Sequence, residues 1–212
     1  MRKKLLFLVV VLILGCKQPK RYHEAVVEPQ GVPEKIKAIL QHRKDLNAEF
    51  SDPEASPLPD RYRKDFIGLD FFEPDTTYVV EARFERTPDA QPFFLATNTD
   101  RKTEEVVFGV AYFELNGASH QLEVYRSLDL IGEEGYEDYL FLPFADDTNG
   151  ESTYGGGRYI DLTIPEGEVL VIDFNLAYNP YCVYNKKYSC PLVPRQNYLK
   201  TKVKAGVKDF KK

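Results

Sequence analysis

The chain has 212 residues, with 28 Lys and Arg against 33 Asp and Glu, a net charge of −5, 14 Tyr, 14 Phe, three Cys, three His and no Trp. That length supports one well-buried core. The acidic balance argues against a nucleic-acid partner, which needs clustered Lys and Arg opposite phosphates.

The chain begins as an export signal. Arg2, Lys3 and Lys4 precede ten apolar residues, Leu5 to Leu14, and Gly15-Cys16 follows. The run is half of the ~20 residues that a membrane-spanning helix needs. Basic start, apolar run and small residue in that order are the pattern of a secretory signal. Its ending resembles a bacterial lipobox, in which Cys16 is lipidated and becomes the new N-terminus. Residues 1–15 are therefore expected to be a leader, 16–32 a lipidated tether, and 33–212 a single β-rich domain. The tether is polar and Pro/Gly-punctuated, and Lys17, Lys20 and Arg21 suit lipid headgroups.

Pro33 opens a helix, where its missing N–H costs nothing. Ile36, Ile39, Leu40, Leu46 and Phe50 recur near helical spacing, and Asp52-Pro53 ends the run. A Pro-rich loop follows, with a short helical turn expected near Pro59–Asp65 and Gly68 as its stop. The period then changes to two. Tyr78, Val80, Ala82 and Phe84 alternate with polar residues, as in a half-buried strand. Ala111, Phe113 and Leu115 lead to Asn116-Gly117 and then Leu122 and Val124, a strong hairpin signal. Further strands are expected at Phe93–Asn98, Tyr139–Phe144, Arg158–Leu162, Glu168–Phe174 and Leu199–Lys204, with a turn at Pro165-Glu166-Gly167. About eight strands after one helix predict a mainly β fold, an antiparallel sandwich or barrel.

Tyr139–Phe144 and Glu168–Phe174 are apolar on both faces, which predicts central strands. Each runs into polar residues, and such groups are costly unless paired. They are either a hydrogen-bonded network or the lining of a pocket. As a pocket, the ligand-binding candidates are Asp146, Thr148, Asn149, Tyr154, Arg158, Asp161, Asp173, Asn175, Tyr178 and Asn179. Arg158 opens a strand with apolar neighbours, so its charge is expected to be met by Asp146, Asp161 or Asp173.

Other motifs are weak. Gly155-Gly156-Gly157-Arg158 lacks the Lys-Ser/Thr and the helix of a phosphate loop. Asp147-Thr148-Asn149-Gly150 is out of register with a calcium loop, whose twelfth position falls on Gly156. His23, His42 and His120 read as solvated surface residues. Cys182 and Cys190 are an even pair in an exported chain and are expected to form a disulfide, ahead of free thiols or a metal site. No metal or cofactor is expected.

Several long motifs carry a resemblance. They are Leu142-Pro143-Phe144-Ala145-Asp146-Asp147-Thr148-Asn149-Gly150, Thr153 to Leu162, Asp173 to Pro180, Cys182-Val183-Tyr184-Asn185, Ser189-Cys190-Pro191 and Gly68-Leu69-Asp70-Phe71-Phe72. Together they resemble the bacterial domain-of-unknown-function family 1684, over roughly residues 34–206. The resemblance implies no activity, substrate or cofactor. With the lipobox it implies a Gram-negative envelope lipoprotein, and Lys17 after Cys16 suits the outer membrane. The best-supported expectation is a binding module for a small polar ligand. The alternatives are a hydrolase or transferase using Asp146, Asp161 or Asp173, and a purely structural envelope protein.

Overall fold

The computed structural model describes residues 33–210; the expected leader, Cys16 and the tether lie outside them. Helix α1 spans Glu34–Ser51 behind Pro33 and buries Ile39 and Phe50. A single turn, α2, spans Asp60–Arg63. Gly68 does not stop it, because α2 ends five residues earlier. Gly68 instead sits against the Asn47 side chain, whose Oδ1 accepts the next backbone N–H, that of Leu69, at 2.8 Å.

Eight strands follow: β1 Val79–Arg86, β2 Phe93–Ala96, β3 Lys102–Leu115, β4 Ala118–Ser127, β5 Tyr139–Asp146, β6 Arg158–Thr163, β7 Val169–Asp173 and β8 Tyr198–Leu199. The main path runs β6-β5-β4-β3-β1-β7, with β2 on β3 and β8 on β5. Pairing is antiparallel except for the two-residue β8, which runs parallel to β5. Asn116 and Gly117, both at positive φ, make the two-residue turn between β3 and β4 that matches strand twist. Strands β6 and β7 are consecutive in sequence yet end the path, so the sheet curls until its ends approach. Tyr159 and Tyr178 close one end by exchanging backbone hydrogen bonds of 2.9 and 3.0 Å.

Inside the curl, Val80, Ala82, Phe84, Leu122, Leu140, Leu142, Ile160 and Ile172 build the core. A second cluster on the outer face holds Tyr125, Phe141 and Tyr159. A third joins Phe50 of α1 to Leu58 and Tyr184.

Two strand expectations change. Strand β7 is an edge strand, with Val169 and Val171 more than half exposed; its apolar run reflects β-propensity as well as burial. The expected Leu199–Lys204 strand stops at Leu199. Beyond it, the carbonyls of Val203, Ala205 and Val207 accept from the Arg158 guanidinium instead of a neighbouring strand.

Candidate functional site

The polar segments after β5 and β7 form a buried frame. Arg158 and Asp146 are both fully buried and pair at 2.9 Å through Nη2 and Oδ2. The same Nη2 donates to the Val203 carbonyl at 2.9 Å, and Nη1 donates to those of Ala205 and Val207. The guanidinium lies 5.2 Å from the Phe144 ring centroid. Asp146 Oδ1 accepts the N–H groups of Thr148 at 2.8 Å and Val203 at 3.1 Å. Of the three expected carboxylate partners, only Asp146 reaches Arg158.

The rest of the frame follows the same logic. Asn149 Oδ1 accepts from the Asp146 N–H, and its Nδ2 donates to Thr153 and to the Tyr154 carbonyl. Thr148 and Thr153 share a hydroxyl hydrogen bond of 2.8 Å. Asp173 holds Asn175, which bonds both backbone groups of Asp75. Asn179 donates to the Lys208 carbonyl at 2.9 Å. Asn197 belongs to none of the sequence motifs. Fully buried, it accepts from Glu123 N–H and donates to the carbonyls of Glu123 and Pro143. It thereby bridges β4 and β5, whose ladder is thin.

A cavity of about 730 Å³ lies on the outer face of β3 to β6, within the range of small-molecule sites. Strand register builds its floor: Ser127 lies opposite Glu105 in one row, and Asp161 opposite Phe141 in the next. His42, Leu46 and Glu49 of α1 supply one wall, and Leu176, Tyr178, Tyr181, Tyr188, Ser189 and Cys190 another. Of the ten ligand-binding candidates, Asp161 and Tyr178 line this cavity. Asp146, Thr148, Asn149, Arg158, Asp173, Asn175 and Asn179 belong to the frame, and Tyr154 lies half-buried beside its glycine loop.

Asp161 Oδ1 accepts both the Tyr139 hydroxyl at 2.9 Å and the Tyr178 hydroxyl at 2.8 Å. Its residue is open to the cavity yet enclosed by protein; that enclosure raises its pKa, against the two hydroxyls, which lower it. Glu105 is 2% exposed, and burial pushes its pKa up to about 6. Burial also lowers the His42 pKa, which favours the neutral imidazole. The Thr103 and Ser127 hydroxyls bear on the Glu105 carboxyl and lower its pKa against its burial, and His42 Nε2 is buried without a hydrogen-bond partner among the described residues. His42 is therefore not a solvated surface residue. Nor is His120, whose Nε2 is buried beside Phe113.

Cys182 and Cys190 are free thiols, not the expected disulfide. They meet by hydrogen bonding: Cys190 Sγ accepts the Cys182 N–H at 3.2 Å. The Cys182 thiol supports Cys190 in its thiolate form and lowers its pKa, while its own pKa rises.

The family model described as "Protein of unknown function (DUF1684)" matches residues 64–208. The chain belongs to that family. The chain is also similar to a protein of known structure, an uncharacterized protein from Haloarcula marismortui solved by solution NMR, with 35% identity and a TM-score of 0.63. The similarity covers 81% of this chain and 92% of that one. No curated protein matches the chain. Most polar groups of the frame bond within the fold, whereas Asp161 and Tyr178 line the cavity.

Proposed function

We propose that this DUF1684 protein binds a small polar ligand in the cavity over the outer face of β3 to β6. The observation that carries the reading is the cavity of about 730 Å³ itself, in which Tyr139, Tyr178 and Asp161 form one hydrogen-bonded cluster alongside His42 in the lining. A few convergent polar groups in a concave, largely apolar lining are what small-molecule sites use to fix a ligand's orientation. Phe141, Leu46 and the tyrosines add the apolar surface that such pockets use.

Binding is favoured over carboxylate catalysis by the state of the three candidate acids. Asp146 is paired with Arg158, Asp173 holds Asn175, and Asp161 accepts two phenols. A thermal-shift screen of the full chain in detergent tests the reading, because a ligand raises the melting temperature by mass action. A hit should lose its effect in Tyr178→Phe or His42→Ala. A hit that both variants retain would place the site elsewhere.

The same proposal places the protein at a bacterial cell envelope, held by lipid on Cys16, on the outer membrane. The basic start, apolar run and Gly15-Cys16 support this, and two acyl chains suffice for stable anchoring. Mass spectrometry of the native N-terminus should find diacylglyceryl-modified Cys16. A retained Met1 would refute it.

A further inference from the structure

We infer that Cys190 and Cys182 form a reactive dithiol, in which a hydroperoxide oxidises the Cys190 thiolate and the Cys182 thiol then resolves it to a reversible disulfide. Both are free thiols in the structure, and neither takes part in the cluster of Tyr139, Asp161 and Tyr178. Cys190 Sγ accepts the backbone N–H of Cys182 at 3.2 Å across a separation of eight positions. It therefore stands against the residue that carries the second sulfur. Both sides of this contact are tied down. Asn98 Oδ1 accepts the Cys190 N–H at 2.6 Å, and the Asn98 N–H returns a bond of 3.0 Å to the Cys190 carbonyl. Arg101 holds the preceding Ser189, with Nε on its hydroxyl at 3.0 Å and Nη2 on its carbonyl at 2.7 Å. On the other side, Val183 N–H bonds the Pro180 carbonyl, Tyr184 N–H bonds that of Tyr181, and the Tyr184 ring is buried.

The same surroundings make the two sulfurs unequal. The Cys182 thiol, backbone N–H groups and the Arg101 charge favour the thiolate of Cys190 and bring its pKa down to about 7, against its burial. The Cys182 pKa is pushed up by the Cys190 sulfur and by burial. The thiolate, not the thiol, is the nucleophile, so Cys190 is the sulfur that attacks. Cys190 belongs to the cavity wall, and the cavity admits an oxidant as small as hydrogen peroxide. Low thiol pKa beside a resolving cysteine is the arrangement of a redox-reactive site. Among the described residues no third His, Cys, Asp or Glu joins the two sulfurs as a metal-ligand group.

The chemistry balances in two steps. The Cys190 thiolate attacks one peroxide oxygen, an S–O bond forms, the O–O bond breaks and hydroxide leaves. Cys190 is then a sulfenic acid. The Cys182 sulfur attacks the Cys190 sulfur, the S–S bond forms, and the sulfenic hydroxyl leaves with the Cys182 proton as water. The electron pair given up by the two thiols ends on the peroxide. A small dithiol reverses the bond by thiol–disulfide exchange.

The test is hydrogen peroxide treatment of the reduced full chain in detergent at pH 7.5. Dimedone traps sulfenic acid, and peptide mapping assigns each site separately from Cys16. The unmodified sequence should lose both thiols to a Cys182–Cys190 disulfide that dithiothreitol reopens without denaturant. Cys182→Ser should instead accumulate dimedone on Cys190. In Cys190→Ser, Cys182 should react with peroxide at least tenfold more slowly than Cys190 does in Cys182→Ser. If either variant fails to fold, iodoacetamide labelling of the unmutated chain decides the order, and Cys190 should react at least tenfold faster than Cys182. Recovery of both residues as free thiols after peroxide overturns the inference. So does a disulfide that dithiothreitol opens only in denaturant, which would be a structural bond. Dimedone or faster alkylation on Cys182 overturns the assigned roles.

Discussion

Arg158→Met removes the centre of the buried frame while keeping a side chain of similar length. Three carbonyls, those of Val203, Ala205 and Val207, lose their donor, and Asp146 loses its cation. Asp146 keeps two backbone N–H groups, so its charge is solvated only in part. Breaking a fully buried pair by deleting one partner costs about 3–5 kcal/mol. For a domain of this size each kcal/mol lowers the melting temperature by ~2–4 °C, so the expected drop is about 6–20 °C. With no Trp in the chain, urea unfolding is followed by far-UV circular dichroism and Tyr fluorescence. Asp146→Leu added to Arg158→Met should recover part of the loss, because a buried pair replaced by apolar groups is often near neutral. The orphaned carbonyls set the remainder, at about 1–3 kcal/mol for each buried group left unsatisfied. A single-variant loss below about 1 kcal/mol would refute the reasoning that Arg158 stands in for a missing strand.

Glu105→Gln should raise stability at pH 7.5 by up to about 2 kcal/mol, since a carboxyl pKa raised from 4.5 to about 6 is a folded-state penalty of that order. The sign follows from proton binding: the folded chain holds the proton more tightly, so the penalty is absent below pH ~4.5 and complete above ~6. Thr103 and Ser127 hydroxyls, Asp129 and Arg101 are the groups that bear on it, and urea midpoints of both proteins from pH 4 to 8 should converge at the acid end; equal midpoints at pH 7.5 would contradict it. Gly206→Ala should cost more than about 1 kcal/mol, because at φ +76° its Cβ would lie 2.6 Å from the Ala177 carbonyl oxygen and 2.8 Å from that of Phe174; an unchanged melting temperature would refute this. In reduced protein, ultraviolet titration of thiolate should show Cys190 as the more acidic thiol, and Cys182→Ala should raise its pKa by removing the supporting hydrogen bond; a Cys190 midpoint that does not move would contradict the pairing.

Most of the fold is legible in the sequence because alternation reports which face of a strand is buried. Val80, Ala82 and Phe84 on β1, and Leu122 and Val124 on β4, point inward as expected, and Asn116-Gly117 turns the hairpin. Strand order is not a local property. Val169 to Ile172 therefore read as central, although β7 ends the sheet path. The end of β8 was equally hidden, because its hydrogen bonds go to a side chain 45 and more residues earlier.

The cavity was harder still. Its floor uses Glu105, Thr103, Ser127 and Asp161, positions that alternation assigns to solvent. They are enclosed because α1 and the segment around Tyr178 to Pro191 cover that face. No local pattern in the sequence marks that enclosure, because the covering segments lie far from β3 to β6 along the chain. That Arg158 needs a carboxylate is legible because a charge among apolar neighbours demands a partner, although the choice of Asp146 over Asp161 and Asp173 is not. Nor are the three carbonyl acceptors of Arg158, since any residue type supplies a carbonyl.

The central claim, that the cavity is the ligand site, is tested most directly by NMR chemical-shift mapping. The protein is labelled and titrated with the strongest hit from the thermal-shift screen. The account predicts that the largest shifts cluster at His42, Glu105, Tyr139, Asp161 and Tyr178, with the frame around Arg158 and Asp146 nearly still. Shifts concentrated instead at Val169 and Val171 on the exposed edge of β7, or centred on Arg158, would contradict it.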